Sequence, residues 1–219
     1  MSKFEDLHKL KDEMEKDSTL PLKKGATKLV FGAGNTEATI LVIGEAPGAT
    51  ENLQGYPFVG QAGKLLDKLF PLAGLERKQV FITNIVHHRP PENRDPIPSE
   101  IEAYGEYLDK IIEIISPEVI ITLGRFSMGK FLPNVFISQV HGKKYDVDWK
   151  GNVIRVIPMY HPAASLRNGS ILEAEKTDFV NLKQILKEIR NDSKTKEAES
   201  DKQSLSIHDR LKADQMKLV

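Results

Sequence analysis

The stretch Leu41–Phe70, LVIGEAPGATENLQGYPFVGQAGKLLDKLF, decides how this chain folds. It opens as a continuous apolar run, which reads as a strand buried on both faces, and it closes as a helical pattern. Between the two lies a long connection rich in Gly and Pro, with a carboxylate, Glu45, at its start and an aromatic, Phe58, near its end. Connections in compact domains have a median of about 4–6 residues, so a much longer one without helical or strand periodicity points to function.

Three further apolar runs resemble the first: Gln79–Val86, Pro117–Gly124 and Asn152–Tyr160. They are continuous rather than alternating, as expected for strands of a parallel sheet covered on both faces. Helical patterns fill the intervals at Ala62–Gly74, Pro98–Ile115, Arg125–Leu132 and Ile171–Arg190. The second of these begins with Pro98-Ser99-Glu100 and stops before Pro117, both sound boundary signals. Phe4, Leu7, Leu10 and Met14 form one stripe of a charged N-terminal helix. The expected fold is therefore α/β, with helices on both faces of a short, mainly parallel four-stranded sheet.

With 219 residues, 40% of them hydrophobic, the chain suits a single domain, expected over residues 1–190. From 191 to 219 low hydrophobicity and dense charge predict a disordered tail, in which Leu205, Ile207, Leu211 and Met216 offer docking positions for a partner. Thirty-one basic residues balance 31 acidic ones, so any attraction to nucleic acid must be local. No apolar run reaches the roughly 18 residues of a membrane span, and the N-terminus lacks a secretory apolar segment, so a cytoplasmic protein is expected. The sequence contains no cysteine, which excludes disulfides, thiol catalysis and cysteine-held metal centres.

Three of the four strands end in polar residues: Glu45, then Thr83-Asn84, then His161. Ligands of open parallel sheets bind beyond the carboxyl ends of the strands, so these side chains should converge on one cleft. Taken singly, Glu45 could be a solvated turn residue, Asn84 a cap, His161 a satisfied histidine at a helix start and Phe58 a core residue. Their shared placement at strand ends and in the long loop favours a site.

The segments Val30–Phe70, Val80–Tyr104, Val119–Phe126 and Met159–Asn168 together resemble the family 4 uracil-DNA glycosylases, in the right order and spacing from about Leu20 to Arg190. The resemblance implies a three-layer α/β/α sandwich and an enzyme that flips deoxyuridine out of DNA, hydrolyses its N-glycosidic bond and so initiates base excision repair. It implies Phe58 as the stacking face for the base, with Tyr56 close by, and Asn84 as the amide that reads uracil O4 and N3–H. It implies His161 as donor to uracil O2, the Gly44 and Glu45 backbone as part of the pocket, and Glu45 as the carboxylate available to orient water or steady the sugar cation. Ala46 stands where other branches carry a water-holding Asp or Asn. For DNA handling it implies Leu166 as a wedge, Arg167 and Ser165 as phosphate contacts, and a backbone-gripping loop containing Arg89 and Arg94. The implied partner is uracil-containing DNA, single- or double-stranded, acted on by a monomer with no membrane role, with a repair or replication partner reached through the tail.

One feature of that family is absent. Its four [4Fe–4S] cysteines correspond here to Asp17, Leu20, His88 and Tyr104, so no cluster and no other cofactor is expected. An Asp17–His88 contact with Tyr104 packed beside it would be one replacement. Asp17, His87 and His88 are zinc-ligand types, but adjacent histidines rarely face one ion, so no metal is expected. Alternative functions are removal of hypoxanthine or xanthine, binding of uracil-DNA with little turnover, and a DNA-binding scaffold. The loop after the second strand lacks the inserted histidine segment of a covalently trapping relative.

Overall fold

A computed structural model describes residues 2–215, with side chains described for residues 2–192. Its strands are β1 (Ala33–Gly34), β2 (Ile40–Gly44), β3 (Phe81–Asn84), β4 (Val119–Leu123), β5 (Tyr145–Trp149) and β6 (Asn152–Met159). Its helices are α1 (Lys3–Lys16), α2 (Ala49–Gln54), α3 (Gln61–Leu69), α4 (Pro98–Ile115), α5 (Arg125–Gly129), α6 (Ile137–Val140), α7 (Pro162–Ser165) and α8 (Gly169–Gln215). The chain divides into two units, Met1–Asn181 and Leu182–Val219.

In the first unit the sheet order is β1-β3-β2-β4-β6-β5. The four expected strands form its parallel centre, with β2 between β3 and β4, and β6 beyond β4. The sheet has six strands rather than four because β1 and β5 add antiparallel edges. Both edges escape sequence reading for a physical reason: β1 is two residues long, and β5 alternates half-buried and exposed positions as a one-sided strand does.

Alternate residues of each central strand point to opposite faces, and both sets are buried. Leu41, Ile43, Ile120 and Val156 share one apolar cluster with Leu7, Leu10 and Met14 of α1 and Tyr104, Leu108, Ile111 and Ile112 of α4. Val42, Ile121 and Ile157 face the other way and are just as buried, as are Leu66 and Leu69 of α3. Phe4 is exposed and rests on His8, with ring centroids 4.0 Å apart, so it leaves the stripe that Leu7, Leu10 and Met14 form. Helix α4 starts at Pro98 and stops at Ser116 in the left-handed region (φ 47°), immediately before Pro117.

In the second unit the backbone is helical to Gln215, through residues whose composition suggests disorder. The side chains of Leu205, Ile207 and Leu211, and Met216 altogether, lie outside the described residues. No described helix is long and apolar enough to cross a membrane.

Candidate active site

Strand β2 delivers Gly44 and Glu45 to the carboxyl edge of the sheet, and register places Gly44 beside Asn84 at the end of β3. The pairing continues past the strand ends, because Ile85 N–H donates to Gly44 O (3.0 Å) and Val86 N–H to Glu45 O (3.1 Å). The Gly44 position admits no side chain: a Cβ there would lie 2.5 Å from Asn84 Oδ1 and 2.5 Å from Phe58 Cε2. Phe58 and His161 face each other with ring centroids 5.6 Å apart. Gly44, Phe58, Asn84 and His161 therefore come together, with Glu45 beside them, from four separate parts of the sequence.

The long connection is not free of helix, since α2 lies within it, and it is held by a clamp around Phe58, a buried residue in the left-handed region (φ 52°), which few non-glycine residues adopt. Glu51, buried on α2, accepts the N–H groups of Val59 (3.0 Å) and Gly60 (2.7 Å), donors left free at the start of α3. Arg77 donates to the carbonyls of Phe58 (2.9 Å) and Pro57 (2.5 Å) and pairs with Asp67 (3.0 Å). Gly63 lets α3 approach, since a Cβ there would fall 1.9 Å from Phe58 O. Glu51, Arg77 and Gly63 escape sequence reading because a lone charge usually means only solvation, and a glycine shows its close approach only once its neighbours are known.

His161 caps α7, its Nδ1 accepting Ala163 N–H at 3.1 Å. That bond leaves Nε2 to carry the proton of the neutral ring. Burial, aided by the Arg167 charge, lowers the His161 pKa to about 4, so the ring is neutral at physiological pH and remains a donor. Gly124 (φ 90°) packs against it, with a Cβ position only 3.0 Å from His161 Cβ. Burial raises the Glu45 carboxyl to about 7; Asp95 adds to this, while Arg125 and Arg167 oppose it. Asn84 is almost wholly buried, and its Oδ1 has no hydrogen-bond partner in the protein.

The remaining expected residues are distributed differently. Tyr56 is 59% exposed and lines a cavity with Lys28 and His88, while Phe58 packs against the His161 ring. Leu166 and Arg167 are exposed after α7. Ser165 is buried, and its hydroxyl donates to the buried Glu175 carboxyl, which supports the loop from within. Arg94 makes a two-pronged pair with Glu100 (2.6 and 2.8 Å), whose carboxylate also accepts Ile97 N–H (3.0 Å). Arg89 donates to Asn93 (2.8 Å) in the same loop.

At the positions of the family's cluster ligands, the donor set does not fit an iron–sulfur group. Leu20 is buried and apolar, and His88 Nδ1 bonds to the Tyr104 hydroxyl at 2.8 Å. Asp17 accepts instead from Tyr107 (2.9 Å) and Thr19 (2.6 Å), so the staple is His88–Tyr104 rather than Asp17–His88. Thr83 gives its proton to Phe31 O (2.7 Å), so at 3.1 Å it must accept from His87 Nε2. Among the described residues no group of three or more His, Cys, Asp or Glu is placed to hold a metal.

Comparison with known proteins matches residues 31–187 to the uracil DNA glycosylase superfamily. A type-4 uracil-DNA glycosylase of Archaeoglobus fulgidus is 47% identical over 164 residues, covering 72% of this chain and 82% of that protein. Type-4 uracil-DNA glycosylases of Sulfurisphaera tokodaii and Thermotoga maritima are 43% and 41% identical, covering 83% and 73% of this chain and 86% and 82% of their own lengths.

Proposed function

The chain belongs to the uracil DNA glycosylase superfamily, and on that basis we propose that it is a monofunctional uracil-DNA glycosylase that leaves an abasic site and free uracil. The observation that carries the reading at the level of residues is the buried, unpaired Asn84 Oδ1. An orphaned buried acceptor costs about 1–3 kcal/mol, and uracil N3–H satisfies it while the amide N–H of Asn84 donates to O4. Cytosine presents the reverse pattern and would leave both groups unpaired.

In this reading the flipped base lies against Phe58, whose strained backbone the Glu51 and Arg77 clamp keeps in place. As the C1′–N1 bond breaks, its electron pair goes to uracil and charge builds on O2. The neutral His161 donates from Nε2 to that oxygen, a contribution typically worth about 3–4 kcal/mol. Water adds to C1′, and Glu45 in its ionised form accepts the proton or steadies the cationic sugar. Exposed Leu166 is suited to fill the vacated stack and Arg167 to meet a phosphate. The pairing of Arg94 with Glu100 and the donation of Ser165 to Glu175 favour roles for these two in shaping the loops. We also take the protein to be a member of the type-4 group that does without a cluster, stapled by His88 and Tyr104.

The test is an excision assay on uracil-containing oligonucleotides, with each reaction divided between alkaline cleavage and a denaturing protein gel. Alkali-labile sites at uracil, lost in His161→Ala, are expected. A heat-stable protein–DNA adduct without free abasic sites, or excision of hypoxanthine alone, would overturn the reading.

A further inference from the structure

A cavity of about 560 Å³ opens near the candidate active site, and its wall carries Lys11, Lys23 and Lys28 against a single carboxylate, Glu15, together with Tyr56 and His88. Its position follows from topology. Strand β1 runs antiparallel to β3 with Ala33 opposite Ile82, so the residues before Ala33 lie toward the carboxyl end of β3, where Asn84 sits. Two bonds fix them there: Val30 N–H to His87 O (2.9 Å) and Thr83 Oγ1 to Phe31 O (2.7 Å). The opposite wall is the chain from Gln54 to Tyr56, which leads within two residues to Phe58.

The lining of the cavity is net positive, with three lysines against Glu15. Lys23 donates to the main-chain carbonyls of Glu15 and Asp17 (2.8 Å to Asp17 O), which fixes its ammonium in place, and its charge also acts on the Asp17 carboxylate. Among the described residues Lys28 enters no ion pair, and its stem lies over Gly55, 3.4 Å from where a Cβ would be. Lys11 reaches Glu15 only at 3.9 Å. His88 contributes no positive charge near neutrality, because burial, then the Lys23 charge, lower its pKa to about 4. Tyr56 adds an exposed aromatic face. A cationic groove beside an exposed ring suits single-stranded nucleic acid, with lysines for phosphate and the ring for an unstacked base.

We propose that this cavity is a second nucleic-acid subsite, in which Lys11 and Lys28 bind backbone phosphates and Tyr56 stacks a base of the strand whose uracil occupies the Phe58 pocket. The proposal rests on the uracil-DNA reading above. It gives the region of the lost cluster ligand, His88, a role in holding substrate. It also accounts for the exposure of Tyr56 on the wall of this cavity.

The test compares the full-length protein with Lys11→Gln/Lys28→Gln and Tyr56→Ala, using a single-stranded oligonucleotide that carries one tetrahydrofuran abasic analogue. For the double variant the Kd should weaken by roughly tenfold at low salt, and the slope of log K against log salt should fall by about 1.4, or ~0.7 for each lost phosphate contact. Tyr56→Ala should weaken binding by about fivefold or more, the loss expected of one stacked base. Excision by the lysine double variant under saturating, single-turnover conditions should stay within about twofold of wild type, since only binding is removed. Unchanged Kd and salt slope in the double variant would overturn the proposal. Inorganic phosphate titrated against the amide signals of residues 23–29 separates the sources. If phosphate binds there while DNA affinity is insensitive to the lysines, the site serves a free anion and the proposal fails. Failure of wild type to excise uracil would instead overturn the function on which the proposal rests.

Discussion

Replacing Gly44 by alanine adds one methyl group at the point where β2 meets the base pocket. Gly44 is not among the positive-φ glycines, so alanine meets no backbone objection and the effect is purely steric. The new Cβ would lie 2.5 Å from Asn84 Oδ1 and 2.5 and 2.6 Å from Phe58 Cε2 and Cζ, whereas ordinary contact begins at 3.4 Å. Something must therefore move by about 0.9 Å, and neither neighbour moves freely. Asn84 is almost wholly buried, and Phe58 is held by Arg77 at its carbonyl and by Glu51 at the next two N–H groups. Overpacking of this kind costs about 1–3 kcal/mol, and each kcal/mol lowers Tm by roughly 2–4 °C in a chain of this size. A displacement of about 1 Å in groups that position a substrate costs on the order of 10²-fold in rate. Single-turnover excision and thermal unfolding of Gly44→Ala should show both losses, with Gly129→Ala as the control, because nothing lies within 4 Å of a Cβ there. Wild-type Tm and rate in Gly44→Ala would refute the reasoning, since the Phe58–Gly44–Asn84 contact would then not form the pocket.

Three other outcomes follow from the same structure. Because the Glu45 carboxyl is raised to about 7, excision should rise with pH through that region if its ionised form assists, and Glu45→Gln should flatten the rise in a single-turnover pH profile. Glu175 is likewise raised to about 7, by burial first and then by Asp178, although its bond to Ser165 opposes the shift. Its stabilising contribution is fully present below pH 4.5 and lost as pH rises through about 7, so Glu175→Gln should raise Tm above pH 7 relative to wild type and change it little near pH 4. Tyr104→Phe removes the 2.8 Å partner of the buried His88 Nδ1 and should cost about 1–3 kcal/mol in denaturant unfolding, with excision at saturating substrate unchanged.

The sequence makes the centre of the sheet legible because strands buried on both faces must be apolar throughout, and β2, β3, β4 and β6 each carry such a run. The edges β1 and β5 lack that signature, one for shortness and the other for its polar outer face. Glu45, Asn84 and His161 are legible as polar interruptions at strand ends. Phe58 can be read from the resemblance, but the clamp that holds it cannot, because Glu51 and Arg77 look like ordinary solvated charges until the N–H and carbonyl groups they satisfy are known. The same limit applies to Arg94 and Ser165. Their residue types suit phosphate contact, yet a buried carboxylate takes each of them, and such pairing depends on tertiary structure. The cluster positions show how side-chain pairing redistributes among candidates of equal promise: His88 takes Tyr104, and Asp17 takes Tyr107.

The central claim is that the buried Asn84 amide reads uracil. The most direct measurement is kcat/KM for uracil and for cytosine in one sequence context, for wild type and Asn84→Ala. A site built to hydrogen-bond one base rejects the mispaired one by roughly 10⁴-fold, so wild type should show a ratio of that order and Asn84→Ala should lose most of it through a fall in uracil excision. Undiminished uracil excision in Asn84→Ala, with the ratio intact, would contradict the account.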